Sequence, residues 1–231
     1  MVIERDLLVS LLKLTKDGPV LVECVNQDSK IASDIVRKML EKLQNANLLY
    51  MKGNTVEADS NKRLRLAVEA ASLGADIERV STFLRWQEFE DIAAVALERN
   101  GYVVTKNMRF THVGRRWEID VVGCRKPLVL CLDCKHWQRG VKPSALRKIV
   151  EAQTERAYAL ANALPSPKLK VKCVDWLKAK FIPVILSLIP SNSKFSDTVP
   201  LVPVLQLQNF LIQLPAYVDS LKYFTKEFKH L

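Results

Sequence analysis

The stretch EIDVVGCRKPLVLCLDCKHW, residues 118–137, sets Asp120, Asp133 and Lys135 in the most apolar, strand-like part of a charged chain. A carboxylate removed from water is costly unless a cation, a metal ion or hydrogen-bond donors offset its charge. Side chains of an extended segment alternate between two faces. Val129, Cys131, Asp133 and Lys135 share one face; Leu130, Leu132, Cys134 and His136 share the other. Both faces are largely apolar, as expected of a strand covered on each side. With Arg125-Lys126-Pro127-Leu128 as a four-residue hairpin loop, Cys124 and Val129 flank the turn and Asp120 falls opposite Asp133. Opposed Cβ atoms lie about 4.5–5.5 Å apart, where like charges repel. Lys135 stands one pleat further on, in diagonal reach. Two carboxylates so placed share a proton, pair with cations or hold a divalent ion through oxygen ligands.

The elements that must position these residues are readable from periodicity and punctuation. Upstream, residues 76–98 read as a helix broken near Arg85-Trp86, and Asn100-Gly101 is a helix stop. Tyr102–Lys106, Trp117–Gly123 and Leu128–His136 follow as strands, rich in β-branched and apolar residues. Lys142-Pro143-Ser144 then opens a helix over 144–163, and strands follow at Phe181–Leu188 and Val199–Leu205. Residues 206–214 and 217–229 read as helical. Helix, three strands, helix, strand is an α/β core with the second helix as a crossover to a parallel strand.

The first 60 residues have a different character. Residues 3–14 read as a helix, and a longer amphipathic run places Ile31, Ile35, Val36, Met39, Leu40 and Leu43 at helical spacing. Leu48–Met51 and Thr55–Glu57 flank a tight turn at Gly53-Asn54. Charge separates the two parts as well. Residues 1–60 carry 8 Lys/Arg against 9 Asp/Glu, so the net +10 of the chain lies wholly in the remainder, with 27 basic against 16 acidic. That excess implies a polyanionic partner for the C-terminal part.

Several classes are excluded or disfavoured. The longest apolar stretch, FIPVILSLIP at 181–190, contains two prolines and is too short to span a bilayer. Acids in MVIERDLLVS stand where a signal peptide needs a basic region. Five cysteines, an odd number, lack disulfide-scaffold density, so a reducing cytoplasm is expected. No Gly-rich phosphate loop is present among only 7 glycines. Cys131-x-x-Cys134-x-His136 has the look of a zinc motif, but the odd offset in a strand puts the two thiols on opposite faces, which defeats tetrahedral ligation.

The pattern Asp120, twelve residues, Asp133-x-Lys135 resembles the PD-(D/E)xK nucleases of the restriction-endonuclease-like fold. The [DE]-x-K tripeptide is worthless alone, since it recurs as Asp28-Ser29-Lys30 and Glu227-Phe228-Lys229. The wider string WQEFEDIAAVALERNGYVV…RRWEIDVVGCRKPLVLCLDCKHW is similar to Mrr-type and archaeal Holliday-junction-resolvase-like members, over about residues 85–190. Ile119 stands where the family has Pro, and Asp133 where Glu is more usual. The resemblance implies a restriction-endonuclease-like core (α-β-β-β-α-β, a mixed central sheet flanked by helices) over 85–231. It further implies that Asp120 and Asp133 bind Mg²⁺ or Mn²⁺, with the Cys134 backbone carbonyl as another ligand. Lys135 would orient or activate the attacking water and offset transition-state charge. Glu90 matches the family's helix acid, with Glu88 as runner-up, because one helical position changes which acid faces the sheet. Gln153, on the helix after the third strand, is a weaker candidate beside the reading of an exposed glutamine. His136 and Trp137 are read as packing residues. Arg115, Arg116, Arg125, Lys126, Arg139, Lys142, Arg147 and Lys148 flank the site in sequence as candidate phosphate contacts.

Residues 1–60 resemble a winged helix-turn-helix module through ASDIVRKMLEKLQNANLLYMKGNTVEA, with 61–84 as a helical connector. Arg37, Lys38 and Lys42 are its candidate phosphate contacts, diluted by Asp34 and Glu41; a near-neutral module of this kind binds either DNA or a protein partner. The expectation is therefore a metal-dependent DNA endonuclease, acting as a homodimer. The alternatives are a structure-specific junction resolvase and a DNA-binding regulator with a vestigial nuclease core.

Overall fold

A computed structural model describes residues 2–135, 141–187 and 193–228. The chain divides into two compact units, Met1–Ile92 and Ala93–Leu231.

In the first unit, α1 (Val2–Leu14) is followed by a two-residue strand β1 (Val20–Leu21), then α2 (Val22–Ser29) and α3 (Ser33–Asn45). The hairpin β2 (Tyr50–Lys52) and β3 (Thr55–Glu57) turns through Gly53-Asn54, with Gly53 at φ +60° as a tight two-residue loop requires. Strand β1 pairs with β3, giving a three-stranded sheet in the order β1-β3-β2. Helix α2 was not expected from the sequence: VECVNQDS buries only Val22 and Val25, too few apolar residues to show a helical period. Ile35, read as part of the apolar face of α3, is exposed, and Val36, Leu40 and Leu43 form that face. Helix α4 (Ser60–Ser72) packs on α1, so residues between 60 and 72 belong to the same compact unit as the hairpin. Asp59 caps α4 by accepting from the Lys62 N–H at 2.9 Å. Helices α5 (Ile77–Thr82) and α6 (Trp86–Arg99) are separate, broken where the two amphipathic faces meet; the unit boundary falls inside α6.

The second unit is built on β4 (Val103–His112), β5 (Arg115–Arg125), β6 (Leu128–Lys135), β7 (Lys178–Ser187), β8 (Phe195–Ser196) and β9 (Val199–Pro203). The order is β4-β5-β6-β7-β9-β8. Strands β4, β5 and β6 are antiparallel, and α7 (Pro143–Ala163) then crosses over to β7, parallel to β6, with β9 parallel to β7. The α-β-β-β-α-β order of a mixed sheet is the one read from the sequence. Helix α7 lies over one face, where Val122, Cys124, Val129, Cys131 and Phe181 pack with Ala157, Leu160 and Ala161. On the other, Leu97 presses on Gly123, and a Cβ there would meet the leucine methyls at 3.1 and 3.2 Å. Helix α8 (Leu207–Tyr217) contacts β9.

Two expectations are corrected. The hairpin loop between β5 and β6 is two residues, Lys126-Pro127, because Arg125 and Leu128 pair; the register Cys124↔Val129 is as read. The helix expected over 217–229 is not found among the described residues 218–228: β10 (Phe224–Glu227) pairs antiparallel with the start of β7, Phe224 facing Phe181. Phe224 and Phe228 pack on the same core as Phe181. Pairing to a strand edge with buried aromatics outweighed a weak helical pattern.

Candidate active site

The β5–β6 ladder runs from Arg125↔Leu128 to Val121↔Leu132, and one further step in that register sets Asp120 against Asp133. Asp120 closes the step with its side chain, accepting the Cys134 N–H at 2.7 Å. On its other flank, the β4–β5 ladder passes from Lys106↔Val121 to Met108↔Ile119, and Asn107 between them holds φ +50°. The sheet is thus irregular around Asp120, as it commonly is where a strand re-aims a side chain.

Asp133 follows Val129 and Cys131 along the face that α7 covers, and is 4% exposed. Its Oδ1 accepts from Lys135 Nζ at 3.0 Å and from Arg156 Nη1 on α7 at 3.2 Å. Its Oδ2 lies 2.8 Å from Lys135 Nζ but off the hydrogen-bonding axis. That oxygen is buried and accepts no hydrogen bond. Two cations around one carboxylate offset its desolvation, but an acceptor left without an aligned donor is unusual in a buried ion pair. Lys135 and Arg156 remain 26% and 28% exposed, so this pair of cations is reached by solvent.

Gln153 is fully buried, correcting its reading as an exposed glutamine. Its Nε2 donates to the Cys131 carbonyl at 2.7 Å, and its Oε1 accepts from Arg156 at 3.3 Å. It ties α7 to β6 and braces the guanidinium that reaches Asp133. Arg156 was not singled out from the sequence. The signal was its place three residues after Gln153 on one helix face, where i and i+3 side chains are neighbours.

Glu88 and Glu90 belong to the first unit and differ sharply. Glu88 is fully buried: its Oε1 meets Arg63 Nε at 2.6 Å and its Oε2 accepts the Arg85 N–H at 2.7 Å, capping α6. Glu90 is 5% exposed and accepts from the Trp86 indole N–H. Of the flanking basic residues, Arg115 pairs with Glu155 at 3.2 Å and stacks on Trp117, and Arg125 donates to the Asn100 carbonyl at 2.9 Å. Arg125 and Lys126 sit at the end of β5 remote from Asp120. Lys42 on α3 pairs with Glu4 at 3.0 Å. His136, Trp137 and Arg139 lie outside the described residues.

The five cysteines are free thiols. Burial pushes the Cys131 thiol up. The hydrogen bond shared by Cys124 and Cys173 holds the first below its usual range and raises the second. Cys124, Cys131 and Cys173 are packing residues of the α7-covered face.

The donor set suits a hard cation: carboxylates and a backbone carbonyl are the ligands preferred by Mg²⁺ and Mn²⁺. Among the described residues no group of three or more His, Cys, Asp or Glu side chains gathers as a metal cage. Mg²⁺ rarely has one; one or two carboxylates, waters and substrate phosphate oxygens complete its shell. The unsatisfied Asp133 Oδ2 is the atom in this structure that fits such a role.

Residues 82–162 match the restriction endonuclease family of Mrr-type catalytic domains. An uncharacterized protein of Archaeoglobus fulgidus is 30% identical over 136 residues, which span 58% of this chain and 95% of that protein. Two solved structures are similar at 12% identity: protein VC1899 of Vibrio cholerae, with a TM-score of 0.44, and restriction endonuclease FokI, with 0.41. The alignments take in 94% and 93% of this chain, but it spans only about half of each of those proteins, 52% and 44%. No helix among the described residues is long and apolar enough to cross a membrane.

Proposed function

The chain belongs to the PD-(D/E)xK restriction-endonuclease superfamily, and from that premise we propose that it is a divalent-metal-dependent DNA endonuclease. The observation that carries the reading is the Asp133 carboxylate. It is buried on the α7 side of the sheet, set against Asp120 by the strand register, with one oxygen that meets Lys135 Nζ at 2.8 Å but accepts no aligned hydrogen bond.

Asp120, Asp133 and the Cys134 carbonyl would hold Mg²⁺ or Mn²⁺, and of the two acids that the resemblance offers on α6, Glu90 is the candidate for the helix acid. Glu88 is unsuited to that part because Arg63 and the α6 cap take both its oxygens. The bound ion would supply charge neutralisation at the scissile phosphate and a more acidic water. The chain's own residues do the rest. The Cys134 N–H fixes the Asp120 carboxylate, and Gln153 fixes Arg156. Lys135 reaches past Asp133 toward solvent, where an ammonium orients the attacking water and offsets charge building on the phosphoryl oxygens. Arg156 offsets the charge of the buried Asp133 carboxylate at 3.2 Å, a task that a cation on a rigid helix performs without reorganisation.

The order α1, β1, α2, α3 and the β2–β3 hairpin in the first unit supports reading it as a winged-helix module. We assign it to positioning substrate or to homodimerisation, since cutting both strands of a duplex needs two sites. DNA as substrate agrees with the net basic charge outside the first 60 residues.

The test is incubation of supercoiled plasmid and of a four-way junction with Mg²⁺ or Mn²⁺, beside an Asp133→Ala control. Metal-dependent plasmid cutting that the control lacks is the expected result. Cutting of the junction alone selects the resolvase reading. Tight duplex binding without cutting of either leaves a DNA-binding regulator.

A further inference from the structure

The β4–β5 hairpin runs on past the sheet. Strand β6 pairs β5 only from Val121 to Arg125, so Met108–His112 and Arg115–Ile119 continue as a two-stranded ribbon. One side of the ribbon is anchored: Met108, Phe110 and Ile119 are buried in the core cluster that includes Ala157 and Leu160 of α7. Arg115 adds a clamp, bonding Glu155 of α7 and lying over the Trp117 ring at 3.9 Å. The other side is exposed and carries Thr111, Arg116 and the cross-strand pair Arg109 and Glu118, whose side chains meet at 3.1 Å.

The apex is chemically out of place. His112 and Arg115 pair around a two-residue loop, Val113-Gly114, with φ +49° and +72°. Such a loop favours Asn-Gly or Asp-Gly, because both central residues need a positive φ. A β-branched residue is the least suited to that conformation. Val113 is also 88% exposed, the most of any large hydrophobic residue described. Strain and a bare apolar side chain at one position, on a support held rigid by packing, mark a residue kept for what it touches.

We propose that this ribbon is a duplex-DNA arm whose apolar tip, Val113, wedges into the base stack while Arg116, three residues on, holds a neighbouring phosphate. The inference rests on the nuclease reading and adds a contact remote from the acids. From Asp120 to the tip is about 20 Å at strand rise, or about six base pairs of duplex. Nucleic acid is the partner that fits an apolar point beside a guanidinium group, since apolar side chains unstack base steps when cations grip the backbone alongside. A protein partner would call for a broader apolar area than a single side chain supplies.

The experiment compares the full-length protein with Val113→Asn and Val113→Leu. Each is measured for melting temperature, for plasmid cutting, and for binding of an aminopurine-labelled random duplex in Ca²⁺, with base unstacking read from the fluorescence. Val113→Asn suits the turn, so its melting temperature is expected to equal or exceed the wild type. Its duplex affinity is expected to fall at least about fivefold, with the aminopurine signal lost. Val113→Leu keeps the wedge and is expected to bind within about twofold. Unchanged affinity and signal in Val113→Asn, with plasmid cutting intact, overturns the wedge and leaves the nuclease standing. Equal loss in both variants also overturns it, since an apolar tip would then not be the contact. Wild-type protein that neither binds nor cuts duplex overturns the nuclease reading and the arm together.

Discussion

Two buried carboxylates paired with arginine stand in the two units of this molecule, and their surroundings differ. Glu88 is fully enclosed, and every polar neighbour is accounted for. Arg63 gives Nε to Glu88, Nη1 to the Leu12 carbonyl and Thr15 hydroxyl, and Nη2 to the Phe83 carbonyl at 2.5 Å. The pair joins the end of α1, α4 and the start of α6 in one closed network. Asp133 is nearly as buried, but its cations are part-exposed and its Oδ2, 2.8 Å from Lys135 Nζ, accepts no aligned hydrogen bond. Burial and an ion pair are thus common to both. Closure separates them: a complete network is a joint, and an incomplete one at a strand end is a place for something else to bind.

The largest expected effect tests the joint. Glu88→Ala strands the Arg63 guanidinium in an apolar enclosure, which costs about 3–5 kcal/mol of stability. Urea unfolding of the first unit should show that loss as a lower midpoint with little change of slope. Cutting per folded molecule should persist. Folded Glu88→Ala protein that no longer cuts would show Glu88 to be more than a joint, and the contrast between the two carboxylates would collapse.

Asp133→Asn probes the open site and should give the opposite pattern. Cleavage is expected to fall about 10²–10³-fold, or roughly 3–4 kcal/mol in barrier. Stability should change by less than about 1 kcal/mol, because Lys135 and Arg156 already reach solvent and hydrate when the charge is gone. A midpoint shift as large as that of Glu88→Ala would show Asp133 to be a second joint.

How much of this contrast was legible in sequence follows from the range of the interactions. The register that sets Asp120 toward Asp133 rests on alternation and a short turn, both local, and the reading survived even with the loop two residues too long. The roles of Glu88 and Arg156 depend on partners 25 and 23 residues away, Arg63 and Asp133, and no local period encodes those pairings. Gln153 was misread for the same reason: a glutamine on a helix is exposed by habit, and only the carbonyl of Cys131 beneath it holds it inside. The β10 strand escaped because its partner edge, the first half of β7, exists only once the sheet is assembled.

A third carboxylate, Asp28, grades between the two and should give the smallest effect. It sits in α2, part-exposed, and accepts from Ser10 at 2.8 Å and from Lys13. Burial tends to raise its pKa, but the hydrogen bonds from Lys13 and Ser10 outweigh that and hold it below the usual carboxylate value. A depressed folded pKa means that the charged form favours the folded state. Its contribution is therefore present above the unfolded pKa, near 3.9, and fades as pH falls through the lower folded value. Asp28→Asn should melt below the wild type at neutral pH, and the two melting curves should converge on acidification. A gap that stays constant with pH would mean that Asp28 acts through hydrogen bonds its amide also makes. Charge would then matter only where, as at Asp133, the network is left open.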